Sequence, residues 1–219
     1  HHTFEFTCGM VLPFSRGTRI VYLDELKGDR VSQALKEARV TAMVGVPAVW
    51  QLLERRILSQ VSARGPIVEK IFDVASDLNR QLSKNTGIDL GKVLFGPVHA
   101  GLGGNIKYLI SGGAALPKDT QELFAGIGLK LIEGYGLTEA APVLTVAEGV
   151  LGAPSGTVGK PIPGVELKIV PVDDAGQESG IGEIWARAPN VMRGYFEDAG
   201  ATSSTLVDGW LKTGDLGSI

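Results

Sequence analysis

The stretch EGYGLTEAAP, residues 133 to 142, sets an aromatic ring (Tyr135), a hydroxyl (Thr138) and a carboxylate (Glu139) close together, with Gly134 and Gly136 on either side of the ring. A flat ring can stack on a nucleobase, a contact worth about 1–3 kcal/mol per base. A threonine hydroxyl can donate to a phosphate oxygen. A carboxylate can hold Mg²⁺, which takes one or two carboxylates and fills its remaining positions with phosphate oxygens and water. A plainer reading makes Tyr135 a core ring, Thr138 a cap and Glu139 a helix-start charge. The residues of this stretch alone leave the two readings level.

Two other stretches bear on the choice. SGGAALP, residues 111–117, follows a strand-like run and precedes a helix-like one. Gly112 and Gly113 would let the backbone come against a flat ligand, and Pro117 opens a helix whose amino end favours an anion. Taken alone, this is a simple strand-to-helix turn. DGWLKTGDLG, residues 208–217, begins with an Asp-Gly turn signal and carries Asp215 between Gly214 and Gly217. Its carboxylate can accept two hydrogen bonds, the pair a ribose diol offers, or it can close an Asx-turn. Together the three stretches meet the demands of a nucleoside phosphate with Mg²⁺. No Ser-His-Asp or Cys-His arrangement accompanies them. His1, His2 and His99 have no ligand spacing, and His99 reads as a surface or packing residue.

The elements that must position these groups change character along the chain. Residues 18–23 (TRIVYL) and 41–46 (TAMVGV) predict short strands. Between them Asp29 can cap a helix with Val31, Leu35 and Ala38 on one face. Pro47 opens a helix burying Val49, Leu52, Leu53 and Ile57. Gly65-Pro66 starts a longer one, whose Ile67, Ile71, Phe72, Ala75, Leu78 and Leu82 recur at spacings of three and four. Strands at 106–110 and 129–133 flank a helix from Pro117 to about residue 125. This alternation implies an α/β fold, a parallel sheet with flanking helices. After Pro142 the period becomes two: Val165, Leu167 and Ile169 alternate with Glu166 and Lys168, and residues 182–188 alternate again across a turn at 173–176. A helix is expected near 198–206. The expectation is a small antiparallel β subdomain, part of a distorted barrel, giving units 1–147 and 148–219.

Composition excludes several classes. At 44% hydrophobic and 21% charged the sequence is that of a globular protein, and a net charge of −3 carries no electrostatic footprint for nucleic acid. The 30 glycines are about double the usual share of ~7%, which fits tight turns and close backbone approach. The single Cys8 excludes an intramolecular disulfide and a cysteine zinc cluster, and fits a reducing, cytoplasmic setting. No apolar run is long enough to span a membrane. The opening run lacks the charged region of a signal peptide, and the chain reads as the interior of a longer protein.

SGGAALP, EGYGLTEAAPV, GTVGKPIPGVELKI, GEIWARAPNVMRGYF and DGWLKTGDLG, in that order, resemble the adenylate-forming superfamily of acyl-CoA synthetases, luciferases and peptide-synthetase adenylation domains. The resemblance covers nearly the whole chain. LFGPVHAGLGGNIKYLISGGAALP (94–117) and PNVMRGYF (189–196) are similar to the bacterial long-chain fatty acid–CoA ligases in particular.

The resemblance implies that Gly112, Gly113 and Ala114 line the adenine and acyl pocket, that Tyr135 and Gly136 lie against adenine, that Thr138 touches the α-phosphate, that Glu139 binds Mg²⁺ and that Asp215 holds the ribose hydroxyls. His2 matches a histidine near the carboxylate and acyl entrance. Thr138 and Glu139 are then the catalytic pair. ATP, Mg²⁺ and coenzyme A are the implied cofactor and substrates, with a fatty acid as the acyl donor, no nucleic acid, and peripheral membrane contact for a long-chain substrate. The resemblance also implies a phosphate loop upstream of His1 and a mobile carboxy-terminal domain downstream of Ile219, so the isolated chain is expected to be inactive. Two other readings stay open: an acyl-AMP ligase that loads a carrier protein, and a non-catalytic nucleotide- or acyl-binding module. Chain length of the acid and oligomeric state are not legible.

Overall fold

The computed structural model describes residues 2–23, 25, 27–147, 156–172 and 180–218. The chain opens with a wide π-type turn, Glu5–Val11, continued by α1, Leu12–Ser15. Then come α2 (Gly28–Glu37), β1 (Ala42–Gly45), α3 (Pro47–Ser62), α4 (Pro66–Thr86), α5 (Gly91–Leu94), α6 (Gly96–Gly101), β2 (Tyr108–Ser111), α7 (Lys118–Gly126) and β3 (Leu131–Tyr135). A single 3-10 turn, Thr138–Ala140, leads to two short strands, β4 (Thr145–Val146) and β5 (Lys160–Pro161). The rest is β6 (Glu166–Val170), β7 (Gly182–Arg187), α8 (Ala199–Thr205), β8 (Leu206–Val207) and β9 (Trp210–Gly217).

The first sheet has the order β1-β2-β3-β4-β5. Its first three strands are parallel, as the alternation of strand and helix requires, with Leu109 opposite Leu131 and Ser111 opposite Glu133. β4 and β5 extend it antiparallel. The second sheet, β6-β7-β9-β8, is antiparallel throughout. The fold is therefore the expected α/β layer followed by a curled antiparallel sheet. The expected boundary between residues 147 and 148 falls at the edge of 148–155, outside the described residues, as does the turn expected at 173–176. The strand Lys160–Pro161 beyond it completes the first sheet.

The larger core lies between the first sheet and its helices. Trp50, Leu53, Leu109, Phe124 and Ile127 are fully buried there. A smaller core joins the two sheets around Ala140, Leu144, Ala186 and Leu211, with Tyr135 packed against it.

Three expectations need correction. Residues 18–23 form no strand, since a β-branched run becomes one only where a ladder partner is in reach. The helix from Gly28 is not capped by Asp29, whose carboxylate pairs with Arg56 at 2.8 Å instead. On α4 half of the apolar stripe does not face the core: Ile67, Ile71 and Leu78 are exposed, and the buried face is Phe72, Ser76, Asn79 and Ser83. The reason is close helix packing. A Cβ at Gly126 on α7 would lie 2.0 Å from Ser76 Oγ, so small residues set this contact. Asn79 completes it, donating to the Gly126 carbonyl and the Asp89 carboxylate and accepting from the Leu90 N–H.

Candidate functional site

β2 and β3 are adjacent and parallel, so the loops leaving their carboxyl ends emerge side by side. These are the SGGAALP and EGYGLTEAAP stretches. They are tied by Glu133, buried on β3, whose Oε1 accepts the Leu116 N–H at 2.9 Å. Burial pushes this carboxyl above the usual glutamate range, and the Leu116 N–H partly opposes the shift.

In the first loop Gly112 is buried, and a Cβ there would lie 2.7 Å from the Phe4 ring. Its missing side chain seats Phe4. Gly113 is exposed with φ +82, a left-handed turn that favours glycine. Ala114 beside it is exposed. His2 is exposed, and its Nδ1 accepts the Phe4 N–H at 3.2 Å, so the histidine belongs to the same segment that covers Gly112.

In the second loop Gly136 makes a close turn against Pro142, which follows a cis Ala141–Pro142 bond. The N-cap of the 3-10 turn is Leu137, so Thr138 does not cap it but stands exposed at its head. Glu139 is half-buried next to it. The Tyr135 ring rests against the smaller core, while its hydroxyl donates to Asp215 Oδ2 at 2.7 Å. Burial first, then the adjacent Asp215 carboxylate, pushes the phenol well above its ordinary range, with Thr213 opposing, so Tyr135 stays a donor.

Asp215 comes from the second sheet. The Asp208–Gly209 turn, both residues at positive φ, joins β8 to β9 as the sequence predicts. The turn at Gly214 is then held by its neighbours. Gly214 N–H donates to Glu183 Oε1 at 3.1 Å, and Asp215 N–H donates to Thr213 Oγ1 at 3.1 Å. Trp185 Nε1 holds the other Glu183 oxygen at 2.8 Å.

The structure thus brings Tyr135 and Asp215 into direct contact, although 80 residues separate them. Gly112, Gly113 and Ala114 flank Tyr135's strand on the neighbouring loop. A cavity of about 310 Å³ opens on the Glu139 side of this region, lined by Leu137, Glu139, Glu183, Tyr195, Lys212 and Thr213 among others. Tyr195 and Glu183 had no signal in the sequence reading. Glu183 sits in a strand that alternates like any half-exposed one, and Tyr195 lies in a stretch notable only for its resemblance. His99 is buried, with Nε2 2.8 Å from the Ile127 carbonyl, a packing residue.

Could the site hold Mg²⁺? Among the described residues no group of three or more His, Cys, Asp or Glu forms a protein cage. Glu139 and Glu183 both line the cavity, but each Glu183 oxygen already accepts a hydrogen bond, from Gly214 N–H and from Trp185 Nε1. That leaves Glu139 to offer a hard oxygen donor, which suits an ion that completes its shell with phosphate oxygens and water.

These features define an α/β protein whose candidate cleft opens beyond the carboxyl ends of parallel strands, where such sheets bind ligands. The AMP-binding enzyme family model matches residues 1–196, and the chain belongs to that family. Long-chain-fatty-acid–CoA ligase 2 of Schizosaccharomyces pombe is 38% identical over 204 residues, 88% of this chain and 29% of that protein. Long-chain-fatty-acid–CoA ligase 1 of Saccharomyces cerevisiae is 34% identical over 195 residues, 84% of this chain and 27% of that protein. Among solved structures, a malonyl-CoA ligase in a ternary product complex with methylmalonyl-CoA and AMP superposes with a TM-score of 0.68 at 26% identity, over 99% of this chain and 39% of that one. The chain spans less than a third of the length of the curated relatives cited here. Among the described residues no helix is long and apolar enough to cross a membrane.

Proposed function

We propose that this chain is the part of an ATP-dependent long-chain fatty acid–CoA ligase that forms the adenosine monophosphate cleft, with residues 1–147 and 148–219 as two subdomains of one adenylating domain. In the first step a fatty acid carboxylate oxygen attacks the α-phosphorus of ATP, forming the acyl-phosphate bond of acyl-AMP and releasing pyrophosphate. In the second, the thiol of coenzyme A attacks the acyl carbonyl carbon, forming a thioester as AMP leaves. No covalent enzyme intermediate is required; the chain's contribution is positioning and charge stabilisation.

The observation that carries this reading is the Tyr135–Asp215 contact, which supplies a ring for adenine and an acceptor for the ribose hydroxyls at one place. Gly136 lets the backbone lie close to the base. Gly112, Gly113 and Ala114 form the neighbouring wall, with exposed Gly113 and Ala114 toward base and acyl group and Gly112 holding Phe4 behind them. His2, on the Phe4 segment, sits toward the acyl carboxylate. Thr138 donates to the α-phosphate. Glu139 would hold Mg²⁺, which when bound neutralises phosphate charge. The relatives' names support the long-chain acid and coenzyme A. We place the parent protein in the cytoplasm with peripheral membrane contact, since long-chain acids partition into bilayers.

The test is ATP–pyrophosphate exchange, then thioester formation, by the full-length protein carrying this chain, across acids of graded length. Exchange should depend on a long-chain acid. Asp215→Ala should raise the KM for ATP at least tenfold. Absence of exchange with every acid, or an unchanged KM for ATP in Asp215→Ala, would refute the assignment.

A further inference from the structure

Segment 190–195 runs across the turn that carries Glu139, and it holds that turn in two different ways. It binds the backbone: the Asn190 side-chain amide donates to the Ala140 and Val143 carbonyls, and Met192 N–H donates to the Glu139 carbonyl at 2.7 Å. It also reaches the side chain, through Tyr195 Oη, which donates to Glu139 Oε1 at 2.8 Å.

Tyr195 is itself held from behind. Its N–H donates to Thr202 Oγ1 at 2.9 Å, and that hydroxyl donates in turn to the Asp198 carbonyl at 2.7 Å. Asp198 caps α8 through the Ala201 N–H at 2.8 Å. The phenol therefore projects from a fixed base over the cavity that Glu139 borders.

We infer that Tyr195 is a positioning residue for the metal-binding carboxylate: its phenol engages Oε1 of Glu139 and presents Oε2 to a divalent cation. The inference rests on the reading of Glu139 as the metal residue. A carboxylate has about four acceptor positions, so one phenol leaves room for a cation. Partners that orient a ligating group shape metal affinity strongly. A purely structural role for the phenol is weak, because the backbone of the turn is already secured by Asn190 and Met192. What the phenol adds is the rotamer of the Glu139 side chain.

The test titrates Mn²⁺ into the full-length protein with a non-hydrolysable ATP analogue, reading bound metal from loss of the free-Mn²⁺ paramagnetic resonance signal. Tyr195→Phe removes only the hydroxyl. It should raise the Mn²⁺ Kd about tenfold, the lower end for losing a partner of a metal ligand. Affinity for the analogue in excess EDTA should not change. Glu139→Gln should weaken Mn²⁺ at least as much, and the double variant should add nothing further. If Tyr195→Phe stays within twofold of wild type while Glu139→Gln is weakened, the positioning role is wrong and the Glu139 reading stands. If Glu139→Gln is also within twofold, the Glu139 reading fails and the inference with it. An equal loss of analogue affinity in EDTA for Tyr195→Phe would make its role structural and overturn the inference.

Discussion

Replacing Gly136 with alanine tests whether the turn carrying Thr138 and Glu139 must be rigid. A Cβ at that position would lie 1.9 Å from the Pro142 carbonyl oxygen, 2.8 Å from its carbon and 2.9 Å from Val143 Cα. All three obstacles are backbone, so no side chain can swing aside. Restoring a separation of about 3.4 Å, close to the van der Waals optimum, requires a shift of about 1.5 Å. The chain just after Pro142 is held by the Leu144 N–H bond to the Tyr135 carbonyl at 2.8 Å. The segment 136–143 must therefore move, against the grip of Asn190 and Met192.

Overpacking of this kind costs roughly 1–3 kcal/mol, which lowers Tm by about 2–12 °C at ~2–4 °C per kcal/mol for a domain near this size. The functional loss is larger, since misplacing reacting groups by about 1 Å can cost 10²-fold in rate. Gly136→Ala in the full-length protein should reduce ATP–pyrophosphate exchange about 100-fold or more, measured well below the lowered Tm. Gly101→Ala, whose Cβ meets nothing within 4 Å, is the control and should match wild type. Exchange by Gly136→Ala within threefold of wild type, at unchanged Tm, would refute the reasoning.

Glu133→Gln should raise Tm at about pH 8 and leave it nearly unchanged at about pH 4, below the ordinary glutamate value of about 4.3. The folded-state pKa of Glu133 is raised by burial, so its contribution is fully present below the unfolded value and is lost as pH rises through the folded one; thermal melts at the two pH values check this, and a variant less stable than wild type at the higher pH would contradict it. Asn79→Ala leaves the Leu90 N–H and the Gly126 carbonyl without their side-chain partner, and should cost about 2–4 kcal/mol in denaturant unfolding. Gly200→Ala, inside α8 with the nearest atom to a new Cβ at 3.6 Å, should stabilise by roughly 0.5–1 kcal/mol, read as a higher denaturation midpoint.

The parts of the fold legible in the sequence are those set by local chemistry. The Asp208–Gly209 hairpin follows from two residues that tolerate positive φ. The two glycine-rich loops sit at neighbouring strand ends because a βαβ unit puts them there. The buried face of α4 departs from its apolar stripe for the opposite reason. Its buried face is decided by what α7 offers, a glycine that admits Ser76 and a carbonyl for Asn79, and none of this is encoded within residues 66–86. In the candidate site, Tyr135, Thr138, Glu139 and Asp215 stood out through residue type and flanking glycines. Tyr195 did not, since its meaning lies in a partner 56 residues away.

The two phenol–carboxylate bonds between the two layers run in opposite directions. Tyr135 of the first sheet donates to Asp215 of the second, and Tyr195 beside the second sheet donates to Glu139 beyond the first. Each layer thus supplies one donor and one acceptor, so each carboxylate is held by a phenol from the opposite layer. Both phenols are shifted upward, so neither bond is lost by phenol ionisation over the ordinary working range. Each carboxylate keeps an oxygen outside its phenol bond, Oε2 of Glu139 and Oδ1 of Asp215. On the proposed reading, a nucleotide and a cation would meet carboxylates already held by hydrogen bonds, so that the ordering of those side chains is met in folding and not at the moment of binding.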